Sequence, residues 1–127
     1  IEVKELPEVS DSTLLGIIAA APTPDQCAVH SFDHRIIARL GSRAPALRRG
    51  ILSVSYPVDP VGPMLAAGAS TLWQEWHLID AELVAAVHRG GGEIIAWTVN
   101  DRDACQSLEN LGVDGVCGNY PARLRPR

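Results

Sequence analysis

Six short apolar segments recur along the chain, roughly 20 residues apart, and turn signals separate each one from the next. They lie at residues 1–4, 27–31, 51–56, 71–76, 94–99 and 115–117. Segments with a helical spacing of apolar residues lie between them, at residues 10–20, 34–40, 61–67, 80–89 and 101–111. This regular alternation predicts repeated βα units whose strands form a parallel sheet.

The number of βα units favours part of a closed barrel over an open sheet. A (β/α)8 barrel of the TIM-barrel class has eight strands in about 250 residues, whereas this chain has 127 residues. We therefore predict a single α/β domain over residues 1–127 that contains about six of the eight barrel strands. An open doubly wound sheet is the alternative. Because the chain starts with Ile1, directly inside a strand-like segment, we expect an N-terminal part of the barrel to be missing.

Composition limits the classes of partner. The chain is 46% hydrophobic and 20% charged, with a net charge of −4, as in an ordinary globular domain. Its eleven Lys and Arg residues are scattered among acidic residues, so we expect no nucleic-acid partner. No apolar run reaches the roughly 18 residues of a membrane span. We therefore expect no membrane span and a cytoplasmic location.

The first strand-like segment carries a carboxylate and an ammonium group. Glu2 and Lys4 are two residues apart, so an extended backbone directs both side chains to one face. One interpretation is a structural ion pair at a strand end. The other is a ligand for a hard cation beside a group that binds phosphate, because reactive groups of parallel α/β proteins lie at the carboxyl ends of strands.

Four motifs give this pattern a specific resemblance. They are Glu-Val-Lys at residues 2–4, His-Ser-Phe-Asp at 30–33, Trp-Thr-Val-Asn at 97–100 and Gly-Val-Asp-Gly-Val at 112–116. In order and spacing they resemble the successive strand motifs of glycerophosphodiester phosphodiesterases. The resemblance covers nearly the entire chain, which corresponds to barrel strands three to eight.

The resemblance implies an activity and a set of site residues. The family performs metal-dependent hydrolysis of small-molecule glycerophosphodiesters to glycerol 3-phosphate and an alcohol, with a divalent cation, Ca²⁺ or Mg²⁺. Glu2 matches a metal-binding carboxylate of the family, and Lys4 matches the lysine that contacts the substrate phosphate. Trp97 matches the aromatic residue that lines the substrate pocket.

The sequence also departs from the family pattern. Gly118 and Asn119 stand where the family usually has a Thr-Asp pair. The family's His-Arg-Gly, Glu-x-Asp and following His-Asp motifs are absent, and both acid/base histidines go with them. We therefore expect no catalytic residue in this chain and no activity from the chain alone. The alternative function is a non-catalytic fragment or a module that binds phosphate or another ligand. We further expect self-association, or a missing N-terminal segment that completes the barrel.

The histidines that are present suggest structural roles more than catalytic ones. His30 and His34 flank Asp33, but a metal cluster there is disfavoured because a strand and a helix start separate them. His88 lies in the last turn of a predicted helix, where a positive charge suits the helix dipole. Only His77, two residues after Glu75, falls at the rim of strand ends where reactive groups are expected.

Overall fold

The structure is a computed structural model that describes residues 1–124. It contains a five-stranded sheet in the order β1-β2-β3-β4-β5, and every pair of neighbouring strands is parallel. The strands are β1 (Ala28–Ser31), β2 (Arg48–Ser53), β3 (Thr71–Glu75), β4 (Glu93–Trp97) and β5 (Gly115–Val116). The helices are α1 (Asp11–Ala19), α2 (His34–Arg43), α3 (Gly62–Ala66), α4 (Ala81–Arg89), α5 (Arg102–Leu111) and α6 (Pro121–Leu124).

Strand order follows chain order, as repeated βα units require, because each strand pairs with the next one along the chain. The predicted alternation is therefore confirmed. The predicted first strand is reduced to a single parallel bridge between Glu2 and His30. The reason lies just beyond it, where Pro7 leads into a 3-10 helix at Glu8–Ser10 and the extended backbone ends.

The predicted bounds of the other strands are shifted by one residue or more, and two strands differ most. The third predicted strand, at residues 51–56, instead covers Arg48–Ser53, because Arg48 and Arg49 pair with Ala28 and Val29 of β1. Arginine can begin a strand at the surface, because its aliphatic stem packs against the sheet while its charged group stays in water. The prediction relied on apolar residues and therefore missed this start. The fifth predicted strand starts one residue earlier and ends at Trp97.

One face of the sheet packs beneath the helices and forms the core. Side chains alternate along β3 and β4, so that Leu72 and Ile94 are buried among helix residues while Trp73 and Ile95 belong to the opposite face. The helix side of this core includes Ile37 and other buried apolar residues: Leu40, Met64, Leu83, Val87 and Leu108. The opposite face is the one that lines the interior of a closed barrel.

Aspartate residues begin three of the helices at the same edge of the sheet. Asp33 accepts a hydrogen bond from the backbone N–H of Arg35 at the start of α2. Asp80 does the same for α4 and Asp101 for α5. These side chains satisfy helix N–H groups that otherwise have no partner, and they fix how each helix leaves its strand. The helix starts at the carboxyl ends of the strands are therefore held in defined positions.

No helix among residues 1–124 is both long enough and apolar enough to span a bilayer.

Candidate functional site

The candidate site lies at the carboxyl ends of the strands, where the βα connections begin. Because all five strands are parallel, these ends meet at one edge of the sheet. The predicted residues Glu2, Lys4 and Trp97 lie in or directly next to this region, together with Glu75 and His77.

Glu2 and Lys4 form an ion pair on one side of the first segment. The Lys4 Nζ to Glu2 Oε1 distance is 2.8 Å, and the two side chains are 81% and 37% exposed, respectively. The hydrogen bond from Lys4 lowers the pKa of Glu2, so the carboxylate is ionised at neutral pH. An exposed ion pair of this kind contributes little to stability and leaves both groups accessible to a ligand.

Backbone hydrogen bonds hold this segment against β1. The His30 N–H donates to the carbonyl of Ile1 at 3.0 Å, and the Val3 N–H donates to the carbonyl of His30 at 2.9 Å. The buried hydroxyl of Ser31 donates to the carbonyl of Val3 at 2.6 Å. Val3 is buried in the helix-side core, so the residues on either side of it, Glu2 and Lys4, belong to the opposite, barrel-lining face.

Trp97, at the end of β4, is half-buried against Phe32 from the end of β1. The two rings meet edge to face with their centroids 5.5 Å apart. The indole Nε1 is buried and has no hydrogen-bond partner among the described residues. Aromatic side chains at the carboxyl ends of two separate strands thus form an apolar surface at the site, with one indole N–H left for a ligand or water.

A second aromatic contact lies further down the same face of the sheet. The rings of His30 and Trp73 are stacked with centroids 4.3 Å apart, although β2 lies between their strands. Gly50 of β2 allows this contact, because a Cβ there would approach Trp73 Cδ1 to 2.8 Å. Burial lowers the pKa of His30, so the stacked ring is neutral at physiological pH.

The connections after β4 and β5 are tied to each other. The Asn119 N–H donates to Asn100 Oδ1 at 2.8 Å, and the Val99 N–H donates to the carbonyl of Cys117 at 2.9 Å. A Cβ at Gly118 would overlap the carbonyl oxygen of Val99. The departure from the family's Thr-Asp pair therefore coincides with a close backbone approach that only glycine permits here.

Glu75 and His77 form a carboxylate–histidine pair at the end of β3. The distance from His77 Nδ1 to Glu75 Oε1 is 2.7 Å, and the backbone N–H of His77 donates to Glu75 Oε2 at 3.1 Å. In the sheet register Glu75 pairs with Trp97, so both belong to the same face of neighbouring strands. The sequence placed His77 at the rim but did not reveal that its partner Glu75 lies beside Trp97, which depends on strand register.

The other histidines have structural partners. His34 Nε2 lies 3.0 Å from the carbonyl of Leu52, and His88 Nε2 lies 2.9 Å from Asp114 Oδ2. The structural role predicted for His88 is thus consistent with its hydrogen bond to Asp114.

The described residues supply too few groups for a metal site. Within residues 1–124, no group of three or more His, Cys, Asp or Glu side chains is placed to hold a metal ion. Glu2 offers oxygen donors of the kind that Ca²⁺ and Mg²⁺ prefer, yet these ions need about six or more ligands. Glu2 and its described neighbours thus do not by themselves make a complete cation site.

These features define the class of protein: a βα-barrel type of fold whose candidate site lies at the carboxyl ends of parallel strands. The chain belongs to the glycerophosphoryl diester phosphodiesterase family, whose family model matches residues 1–123. The resemblance predicted from the four motifs is thereby confirmed.

Named relatives of the chain are also glycerophosphodiester phosphodiesterases. The chain is 32% identical over 114 residues to a glycerophosphodiester phosphodiesterase of Arabidopsis thaliana, a match that covers 88% of this chain and 34% of that protein. It is 27% identical over 100 residues to a glycerophosphodiester phosphodiesterase of Caldanaerobacter subterraneus, covering 79% of this chain and 41% of that protein. The chain thus spans less than half the length of these relatives.

Solved structures show the same fold. A candidate glycerophosphodiester phosphodiesterase from Galdieria sulphuraria superposes with a TM-score of 0.88 at 21% identity, over 97% of this chain and 54% of that one. A phosphodiesterase from Oleispira antarctica, solved with the product sn-glycerol-3-phosphate, gives a TM-score of 0.75 at 21% identity, over 97% of this chain and 51% of that one. The described sheet corresponds to about half of a TIM barrel.

Proposed function

We propose that this chain contributes to the metal-dependent hydrolysis of glycerophosphodiesters to glycerol 3-phosphate and an alcohol, as part of a complete barrel. The observation that carries the proposal is the exposed pair of Glu2 and Lys4 beside the strand ends. A carboxylate and an ammonium group with accessible polar atoms suit a ligand that combines a cation with a phosphate.

Each predicted site residue has a physical role in this proposal. Lys4 offsets negative charge on the phosphate oxygens, and Trp97 with Phe32 offers an apolar surface to the glycerol carbons. Glu2 would hold the divalent cation, Ca²⁺ or Mg²⁺, which supplies electrostatic stabilisation of the phosphoryl group when bound. Further oxygen ligands have to come from groups outside the described set.

The isolated 127-residue polypeptide is expected to be inactive. Each of the four histidines has a structural contact in the fold. The pairs are His30 with Trp73, His34 with Leu52, His77 with Glu75 and His88 with Asp114. General acid and base groups contribute roughly 10² to 10⁴ each, so the lack of both costs on the order of 10⁴ to 10⁸ in rate.

A hydrolysis assay tests the proposal. The 127-residue chain is compared with a fusion that places the N-terminal segment of the Caldanaerobacter relative before Ile1, with glycerophosphocholine as substrate. The fusion should release glycerol 3-phosphate and the chain alone should not. Turnover by the chain alone that Glu2→Ala abolishes would contradict the expected inactivity, whereas no turnover by a folded fusion would contradict the proposed function.

The second candidate is a binding module without catalysis. The observation in its favour is that, among residues 1–124, Glu2 does not belong to a group of three or more side chains that could hold a metal ion. We expect cation binding by the chain alone to be millimolar or weaker, because one carboxylate cannot replace the ligand shell of Ca²⁺ or Mg²⁺. Calorimetry that finds micromolar Ca²⁺ affinity would contradict this and would direct attention to Asp33, Glu75 and Asp114.

The remaining expectations about partners and location stay predictions. They are a small-molecule glycerophosphodiester as the ligand, no nucleic-acid partner, a cytoplasmic location, and completion of the barrel by self-association or by a further segment.

A further inference from the structure

Two histidine–carboxylate pairs lie at opposite ends of the sheet. Glu75 and His77 follow β3, at the carboxyl ends of the strands. His88 and Asp114 lie at the amino ends, where Asp114 also accepts a hydrogen bond from the backbone N–H of Ile94 at 2.8 Å. The second pair joins α4 to the starts of two strands, which is a sufficient structural reason for it. In the first pair the Glu75 carboxylate also accepts the backbone N–H of His77 at the start of a 3-10 helix, Trp76–Leu78, but the exposed imidazole joins no other element and lies beside the candidate site.

The imidazole of His77 is fixed in two ways. Both carboxylate oxygens of Glu75 form hydrogen bonds with His77. Oε1 lies against the ring Nδ1, and Oε2 accepts from the backbone N–H. The ring also lies against the indole of Trp76, with centroids 3.6 Å apart. A ring held on one edge and one face cannot rotate freely, so its other nitrogen, Nε2, points in a defined direction.

The carboxylate also determines which nitrogen carries the proton. An ionised carboxylate only accepts hydrogen bonds, so the short contact requires a proton on Nδ1. In the neutral imidazole this leaves Nε2 as an acceptor. The His77 side chain is 66% exposed, and Nε2 has no protein partner among residues 1–124. An oriented acceptor next to a ligand surface suits a hydroxyl group.

We propose that His77 Nε2 accepts a hydrogen bond from a hydroxyl of the ligand's glycerol moiety, and that Glu75 is its positioning residue. Glu75 pairs in register with Trp97, the residue proposed to pack against the glycerol carbons. The imidazole is therefore held by the side chain of the residue that neighbours Trp97 in the sheet. This inference rests on the proposed function for the identity of the ligand and adds a residue that distinguishes glycerol from simpler alcohols.

The experiment is an NMR titration of the full chain, observing the imidazole ¹⁵N resonances. One probe is sn-glycerol 3-phosphate, and the other is 3-hydroxypropyl phosphate, which lacks the middle hydroxyl. The free protein should show His77 protonated on Nδ1, and glycerol 3-phosphate should shift its Nε2 resonance. The glycerol compound should bind about threefold to tenfold more tightly than the analogue, as expected for one hydrogen bond.

Variants separate a ligand contact from a structural role. In His77→Phe the preference for glycerol 3-phosphate should disappear, and in Glu75→Ala the Nδ1-protonated form should be lost together with most of the preference. His88→Phe is the matched control, since it removes the imidazole of the other pair, and it should keep the preference. The wild-type titration needs no variant, so a variant that fails to fold leaves the test intact.

The outcomes distinguish this inference from the proposed function. If the wild-type chain binds both phosphates equally, or if the His77 resonances do not respond while binding occurs, only the role of His77 is wrong. If neither phosphate binds to the wild-type chain at any concentration that the titration reaches, this inference is wrong, whereas the proposed function of the complete barrel is decided separately by turnover of the fusion.

Discussion

The carboxylate of Asp11 is completely buried and accepts two hydrogen bonds from the guanidinium of Arg39, at 2.8 and 2.9 Å. Arg39 also donates to the carbonyl of Leu6 at 2.8 Å, and Arg43 Nε lies 3.3 Å from Asp11 Oδ2. Helix α2 is thereby attached to the residues that precede α1. The segment with Glu2 and Lys4 therefore owes its position to a buried ion pair as well as to its bridge with β1.

Replacing Asp11 with alanine should lower the free energy of unfolding by about 3 kcal/mol, the lower end of the range for breaking a buried ion pair. The lower end applies because the Arg39 side chain is 26% exposed and water can partly replace its partner. Denaturant unfolding measures the change. Arg48→Ala, which removes the longer and exposed ion pair with Glu93, is the control and should leave the midpoint nearly unchanged. Equal losses in both variants would contradict the structural role of Asp11.

Acid should weaken the start of α2 through Asp33. Hydrogen bonding from Arg35 lowers the pKa of Asp33 from 3.8 to about 2. A carboxyl group with a lowered folded-state pKa stabilises the fold fully above its ordinary pKa, and this contribution is lost as the pH falls through the folded value. Carboxyl resonances followed by NMR should place the Asp33 pKa near 2, and Asp33→Asn should flatten the stability profile between about pH 4 and 2. An Asp33 pKa at its ordinary value would contradict the contact.

Two glycine substitutions should act in opposite directions. Gly118→Ala should destabilise the fold by about 1 to 3 kcal/mol, because its Cβ would overlap the carbonyl oxygen of Val99. Gly16→Ala should stabilise it by about 0.5 to 1 kcal/mol, since Gly16 is inside α1 and its Cβ would have open space around it. Thermal unfolding measures both. A neutral Gly118→Ala would show that the connections after β4 and β5 can move apart without cost.

The sheet should associate with other chains through its edges. β5 pairs with β4 alone among the described strands, and the segment at Glu2 pairs with β1 through one bridge. Unpaired strand edges bind other strands, and the barrel-lining face adds apolar surface. Light scattering of the 127-residue chain should therefore show oligomers or aggregates. A stable monomer at micromolar concentration with cooperative unfolding would contradict this.

The sequence predicted the fold well because its signals are local. Apolar runs, acidic caps such as Asp80 and Asp101, and the stop at Gly112, which has a φ of +89°, each act within a few residues. The pairing of the first segment was predicted less well. A single bridge between Glu2 and His30 depends on contacts across the chain rather than on local propensity.

The candidate site could be predicted only in part, for the same reason. Glu2, Lys4 and Trp97 were found through motifs, but their neighbours depend on register and packing. The contact between His30 and Trp73 needs a glycine on the strand between them, and no periodic pattern marks Gly50 for that role. The proximity of Glu75 to Trp97 likewise follows from pairing of β3 with β4, which sequence spacing alone does not determine.

The proposed role of Glu2 is tested most directly by the turnover of the fusion protein with Glu2→Gln compared with Glu5→Gln. The first variant removes the proposed metal-binding charge, and the second removes an exposed charge three residues further along the chain. We predict that Glu2→Gln lowers kcat by about 10² to 10³, the loss typical of one electrostatic group in a site, and that Glu5→Gln leaves kcat unchanged. Full turnover by the folded Glu2→Gln fusion would contradict the proposed role of this strand end in catalysis.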